Sequence, residues 1–431
     1  CGDEKELKLF VIPVSFSLPK IPSLFYKLKS SRCSGTISWN EFLHITSNGN
    51  DVCFKIVSAD DPAIIEYTGG TTGQPKGVLL SNKAANAIAF QYISGDKMFD
   101  IKPGEKFMNI IPPFLAYGIF FGTHTALCCG LENILCPDPD PIKFPKLFVK
   151  YRPNHFSGGI LHIDNLIKNK KVNKMDLSFV KTAAYGGDGM NEIWEESVSG
   201  FLKSHGSKHG VLKGYGMTET ASTVCTATHR SNEMIPMFLN NFKIVDTETG
   251  EELPYNQSGE ILISGPSLMM QYFKNNKLTD ETIFVEEDGR WIHTGDLGYI
   301  TQNGELNLVG RIKRILWSVG EDNIPYRVYP MEVESVICRC EAVEKCAVVG
   351  LENGERGYLL VAFIVLKCGT EFSETVRNKI VDLCRENLHQ NAVPYKYNFV
   401  KELPVTKAGK LDYKNLEKQL IQNIKGKGNI F

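Results

Sequence analysis

From about residue 61 to 230, short apolar runs alternate with segments of helical periodicity, a pattern that restricts the chain to a layered α/β architecture. Between "NFKIVDTETGEELP" and "GELNLVG" the pattern changes to strands and turns, which predicts a β-rich subdomain from about residue 240. After Arg311 a second, α+β pattern begins. It has a helix at "PMEVESVICRC", strands at "CAVVGL" and "LLVAFIVL", and a helix at "SETVRNKIVDLCRENL". A composition break near 310–325 marks the expected domain boundary, and internal repeats are absent.

Length and composition narrow the partners. With 431 residues, 42% hydrophobic and 23% charged, the chain has material for two or three domains and a sizeable core. A net charge of −1 gives no electrostatic reason to expect nucleic acid or an anionic membrane surface. The twelve cysteines contain no C-x-x-C pair; Cys338, Cys340 and Cys346 come nearest to a cluster but lack a histidine at zinc spacing. Reduced thiols and a cytoplasmic location are the expectation. The stretch "IIPPFLAYGIFFGTHTALCCGL" (110–131) carries no Asp, Glu, Lys or Arg, yet its paired prolines suit a spanning helix poorly. It reads as a buried turn and helix lining an apolar pocket, so no integral membrane segment is expected.

The segment "YTGGTTGQPKGV" (67–78) places paired glycines, Thr68, Thr71 and Thr72, and Lys76 within a dozen residues. Glycines allow successive backbone N–H groups to turn toward one anion, hydroxyls add donors, and the lysine adds a point charge suited to polyphosphate. Lys76 is followed by Gly77 rather than Ser or Thr, so the Walker pattern is not met. Flanking "AIIEY" and "VLL" read as strands, with Ser81 as N-cap of the next helix.

Four other segments carry weaker signals individually. "GYGMTETAS" (214–222) lacks the third dinucleotide glycine; Thr218 and Glu219 suit a phosphate oxygen and a divalent metal, or equally a helix cap with a first-turn acid. "AAYGGDGM" (183–190) ends an apolar strand in paired glycines against which a planar ring could lie, or is simply a turn. In "WIHTGDLGY" (291–299), Asp296 could bridge two ribose hydroxyls or serve a turn. "PVTKAGKLD" (404–412) holds Lys410 in a small exposed loop.

In this order and spacing the five segments, with "GRIKRI", resemble the adenylate-forming superfamily of acyl-CoA synthetases, luciferases and peptide-synthetase adenylation domains. The double glycine of "YTGGTTG" and the histidine of "WIHTGD" are most similar to long-chain acyl-CoA synthetases. The resemblance implies a large α/β domain over 61–310 with the β-rich subdomain, and a small mobile C-terminal α+β lid over 311–431. It also implies that residues 1–60 are the remnant of an N-terminal subdomain usually longer.

The implied reaction consumes ATP with Mg²⁺ to make an acyl-adenylate from a small-molecule carboxylate, a fatty or aromatic acid rather than an amino acid. CoA then accepts the acyl group. An acyl carrier protein as acceptor, or a nucleotide-binding fragment without catalysis, are the alternatives. By matching positions, Thr68, Gly69, Gly70, Thr71, Thr72, Gly73 and Lys76 take the pyrophosphate portion. Gly186, Gly187, Asp188, Tyr215 and Gly216 frame the adenine, while Asp296 and Arg311 hold the ribose. Thr218 meets the α-phosphate, Glu219 takes Mg²⁺, and Lys410 neutralises charge in adenylation. Lys313 is the hinge, and Phe114, Tyr117 and Gly118 wall the acyl pocket.

Overall fold

The computed structural model describes residues 9–11, 36–38, 44, 57–68, 75–94, 99–136, 140–186, 192–229, 233–319, 325–405 and 411–426. Residues 1–58 and 59–431 form two compact units. In the first, β1 (Leu9–Val11) pairs in parallel with β2 (Thr36–Ser38). The second opens with an antiparallel hairpin, β3 (Pro62–Thr68) and β4 (Lys76–Ser81), in which Thr68 stands opposite Lys76. Helix α1 (Asn82–Ser94) follows at once. Its start is capped as the sequence suggests: Ser81 Oγ accepts from the Ala84 N–H at 3.1 Å.

A seven-stranded sheet forms the centre. Strands β5 (Lys106–Asn109), β6 (Glu132–Leu135), β7 (His155–Gly158), β8 (Thr182–Gly186) and β9 (Val211–Gly216) run parallel. Beyond β9 the antiparallel β10 (Thr223–Thr226) and β11 (Ile235–Pro236) complete the order 11-10-9-8-7-5-6. Period-two alternation sends adjacent side chains into different cores. Phe107 and Ala184 join the cluster with Ile88 and Tyr92 of α1. Their neighbours Met108 and Ala183 join the opposite one, with Phe148 of α2 (Phe144–Tyr151), Ile163 of α3 (Ile160–Ile167) and Val198 of α4 (Glu192–Ser204). Both faces are therefore covered, as a parallel sheet requires.

The charge-free stretch is a helix, as read, but of the wide π type over Tyr117–Thr125, continuing into Ala126–Cys128. Asn109 fixes its start, donating from Nδ2 to Gly118 O at 2.9 Å while its Oδ1 accepts from Ile111 N–H. No helix among the described residues is long and apolar enough to cross a membrane.

A five-stranded antiparallel sheet follows: β12 (Asn241–Val245), β13 (Gly259–Ser264), β15 (Ile283–Glu286), β16 (Gly289–Ile300) and β17 (Leu306–Arg311). Between β13 and β15, the two-residue β14 (Gln271–Tyr272) leaves this sheet and adds to β4; α5 (Asn276–Thr282) then leads back. Strand β17 runs into the single 3₁₀ turn Ile312–Arg314.

Beyond that turn come the hairpin β18 (Leu316–Val319) and β19 (Pro325–Val328), then a three-stranded sheet of β20 (Val343–Glu352), β21 (Tyr358–Leu366) and β22 (Lys396–Phe399). Cys346 and Val348 of β20 face α6 (Pro330–Cys338) and α7 (Glu374–Asn387), whereas Ala347 and Val349 face α8 (Tyr413–Gly426). The cysteines near 340 are ordinary core material: Cys340 and Cys346 are buried free thiols. Ion pairs link this α+β part to the rest of the unit. Lys168 Nζ lies 3.4 Å from Glu344, Lys345 Nζ lies 3.9 Å from Asp164, and Arg327 pairs with Glu248.

Candidate active site

The detour of β14 sets up the first half of the site. It places Tyr272 beside Val78, and the Tyr272 hydroxyl donates to Glu219 Oε1 at 2.7 Å. Lys76 Nζ sits 5.0 Å from the centre of the same ring, within cation–π range. A lysine, an aromatic ring and a buried carboxylate from three separate segments are thus in contact. Burial, then the Glu219 carboxylate, push the Tyr272 hydroxyl well above its ordinary pKa, so it remains a donor.

Glu219 lies in a 3₁₀ turn, Thr218–Thr220. Thr218 is the first residue of this turn rather than its cap: the cap position is Met217, whose N–H donates to Thr220 Oγ1 at 3.1 Å, and Glu219 is the first-turn acid. Two local devices bend the chain here. Ala221 adopts a left-handed φ of 61°, and a Cβ on Gly216 would lie 1.9 Å from Ser222 O, so only glycine fits that position. Among the described residues no trio of His, Cys, Asp or Glu forms a metal cage. A single buried carboxylate nonetheless suits Mg²⁺, which takes one or two carboxylates and completes its shell with water and phosphate oxygens.

The second half joins Asp296 and Arg311, expected together at the ribose, with Tyr215, expected at the adenine. Asp296 is 4% exposed and stands opposite Arg311 across the β16–β17 ladder. Arg311 Nε lies 2.8 Å from its Oδ1, and the Tyr215 hydroxyl donates to its Oδ2 at 2.8 Å. Burial and then the adjoining carboxylate drive the Tyr215 hydroxyl far upward. Gly186 ends β8 opposite Gly214, one residue before Tyr215; a Cβ there would meet Gly214 O at 2.8 Å. Thr68 is half-buried at the end of β3. Gly69, Gly70, Thr71, Thr72, Gly73, Gly187, Asp188 and Lys410 lie outside the described residues. The Lys410 loop is nevertheless bracketed, by a bridge between Val405 and Leu411.

The three residues expected to wall an acyl pocket divide. Tyr117 lines an apolar cavity between the π-helix and the sheet, with Phe121, Thr125, Ala184 and Gly214. Phe114 does not: it follows the paired prolines on the outside of the turn and is 68% exposed. Nor does Gly118 form a wall. Its role is close backbone approach, since a Cβ would sit 2.1 Å from Pro112 O. Lys313 is exposed in the turn after β17. Tyr272 went unnoticed in the sequence, because a tyrosine 53 residues from its partner carries no local signal.

Residues 19–273 match the AMP-binding enzyme family, and residues 332–410 match the AMP-binding enzyme C-terminal domain. The long-chain-fatty-acid–CoA ligase of Bacillus subtilis (strain 168) is 33% identical over 376 residues, 86% of this chain and 64% of that enzyme. A 4-coumarate–CoA ligase of Petroselinum crispum is 30% identical over 387 residues, 85% of this chain and 66% of its own length. The chain thus spans a little under two thirds of these relatives. Among solved structures, the anthranilate CoA ligase AuaEII in complex with anthranoyl-AMP superimposes with a TM-score of 0.76 at 22% identity. That match covers 91% of this chain and 73% of the other. With a large α/β domain, a small C-terminal α+β domain and both family matches in chain order, the protein belongs to the AMP-binding enzyme family.

Proposed function

We propose that the chain activates an apolar carboxylic acid with ATP and transfers the acyl group to CoA. The observation that carries this reading is the pair of fixed carboxylates. Glu219 is tied through Tyr272 to Lys76, and Asp296 is held by Arg311 and Tyr215. Lys76 with Thr68, Thr71 and Thr72 holds the β- and γ-phosphates, Thr218 the α-phosphate, and Asp296 the ribose. Mg²⁺, when bound at Glu219, supplies charge neutralisation at the phosphate oxygens.

A substrate carboxylate oxygen attacks the α-phosphorus in line, the bond to the bridging oxygen breaks, and pyrophosphate leaves. Catalysis here is mainly positioning and charge neutralisation, the latter from Lys410. In the second step the CoA sulfur attacks the acyl carbonyl and AMP departs. The lid, from residue 311, serves the two steps in two orientations. Arg311 is anchored to Asp296, and Arg314 to Glu334 at 2.7 Å, which leaves Ile312 and Lys313 as the pivot.

The apolar lining supports a fatty or aromatic acid over an amino acid. One relative is named for long-chain fatty acids and another for 4-coumarate. A carboxylate panel in a pyrophosphate-exchange assay, followed by CoA or carrier protein as acceptor, tests the reading. Acid-dependent exchange and a CoA thioester are expected. Exchange with transfer only to a carrier protein overturns the CoA step, and nucleotide binding without exchange overturns the enzyme reading.

A further inference from the structure

Strand β3 carries an acid on its inner face. Glu66 is 6% exposed, whereas the next residue, Tyr67, turns outward. Among the described residues Glu66 has no hydrogen-bond or ion-pair partner, and burial alone pushes its carboxyl above the ordinary range. A charged group taken out of water is as a rule paired or bound to a metal. Within the described fold Glu66 has neither.

The sheet register shows what this acid lies beside. Glu66 stands opposite Val78 on β4, and Val78 stands opposite Tyr272 on β14. Residues directly opposite across a ladder share a face, so Glu66, Val78 and Tyr272 form one row. Neighbouring strands are about 5 Å apart, which sets the outer two about 10 Å apart at the backbone. Thr68 and Lys76 make the next row on the same face, two residues along each strand. The Thr218–Thr220 turn packs against both β3 and β4, and its Glu219 accepts from the Tyr272 hydroxyl at 2.7 Å. Two buried carboxylates, Glu66 and Glu219, thus border the row assigned to the phosphates.

Lys76 does not neutralise Glu66. Its ammonium lies over the Tyr272 ring, 5.0 Å from the centre, and no ion pair joins it to the acid. The lysine is kept for phosphate, and Glu66 is left for another cation.

We propose that Glu66 supplies a second carboxylate to the divalent cation assigned to Glu219. Mg²⁺ takes one or two carboxylates and completes its shell with water and phosphate oxygens, so both acids can serve one ion. Two carboxylates hold the cation before nucleotide arrives, whereas Glu219 alone would depend on phosphate oxygens to complete the site. The assignment rests on the placing of Mg²⁺ at Glu219 in the reading above.

The test titrates Mn²⁺ into the nucleotide-free full chain and follows free Mn²⁺ by electron paramagnetic resonance. Saturable binding at one site is expected, weakened at least about tenfold by Glu66→Gln and by Glu219→Gln. Melting in EDTA gives a second readout: Glu66→Gln removes an unpaired buried charge, so its melting temperature should exceed that of the unmodified chain, and Mn²⁺ should narrow the gap. Absence of saturable binding in the unmodified chain overturns the inference. So does weakening by Glu219→Gln alone, which leaves the cation at Glu219. Binding indifferent to both substitutions defeats the underlying placement as well. A lower melting temperature of Glu66→Gln in EDTA would mean that the carboxylate already has a partner in the fold, and overturns the inference too.

Discussion

The Tyr272 hydroxyl donates to Glu219 at 2.7 Å, and the Lys76 ammonium lies over the same tyrosine ring. One side chain therefore orients the carboxylate assigned to Mg²⁺ and touches the cation assigned to phosphate. Hydrogen bonds to charged groups contribute about 1.5–3 kcal/mol. Tyr272→Phe should accordingly raise the Mg²⁺ concentration for half-maximal pyrophosphate exchange by about tenfold. Glu219→Gln, which keeps shape and loses charge, should raise it further. Unchanged magnesium titrations in both variants would remove Glu219 from metal binding.

Lys410 is assigned to charge that develops only as the α-phosphate is attacked. Lys410→Ala should slow acyl-adenylate formation by about 10²-fold or more, with ATP affinity little altered. Adenylation at the unmodified rate, measured by single-turnover formation of acyl-AMP, would exclude the lysine from the mechanism.

Lys313 lies between two anchored arginines, so a fixed φ at this position should block one lid orientation. Lys313→Pro is expected to preserve pyrophosphate exchange and to abolish thioester formation from supplied acyl-AMP. Loss of both steps together would indicate misfolding; retention of both would place the pivot elsewhere.

His229 gives a pH dependence of stability. Its ring stacks on His209 at 3.7 Å and its Nε2 is buried without a partner. Burial, then the neighbouring histidines, hold it down to about 4 against the ordinary 6.5. Below about 6.5 the unfolded chain takes up the proton first, so this group removes stability progressively down to about 4 and has no effect above that window. Burial lowers His124, His155 and His209 in the same direction. His229→Phe should keep the packing and flatten the acid limb of a denaturant-midpoint profile. An acid limb as steep as that of the unmodified chain would contradict the assignment.

What the sequence made legible follows the range of each signal. Ser81 as a cap and the period-two strands are written in contiguous residues, and the fold realises them. The union of Tyr215, Asp296 and Arg311 depends on the β16–β17 register and on β9 lying near that ladder, which no short stretch encodes. Tyr272 reaches Glu219 only because β14 abandons one sheet for another. Phe114, expected in the pocket wall, is 68% exposed: an apolar run states that something is buried but not which of its side chains. The π-helix also has no sequence mark, since its apolar stretch would suit an α-helix equally.

The placement of Arg311 and Arg314 has a bearing on how the protein responds to its medium. Arg311 is paired before Ile312 and Lys313 in the chain and Arg314 after them, so the proposed rotation about those two residues sacrifices neither anchor. The balance between orientations then falls to the charges that face each other across the gap, Lys168 with Glu344, Lys345 with Asp164 and Arg327 with Glu248. Lys168 and Glu248 in these pairs are well exposed, and exposed pairs weaken as the Debye length shrinks, to about 8 Å at physiological ionic strength. If the lid rotates as proposed, added salt therefore weakens the contacts that hold the present orientation.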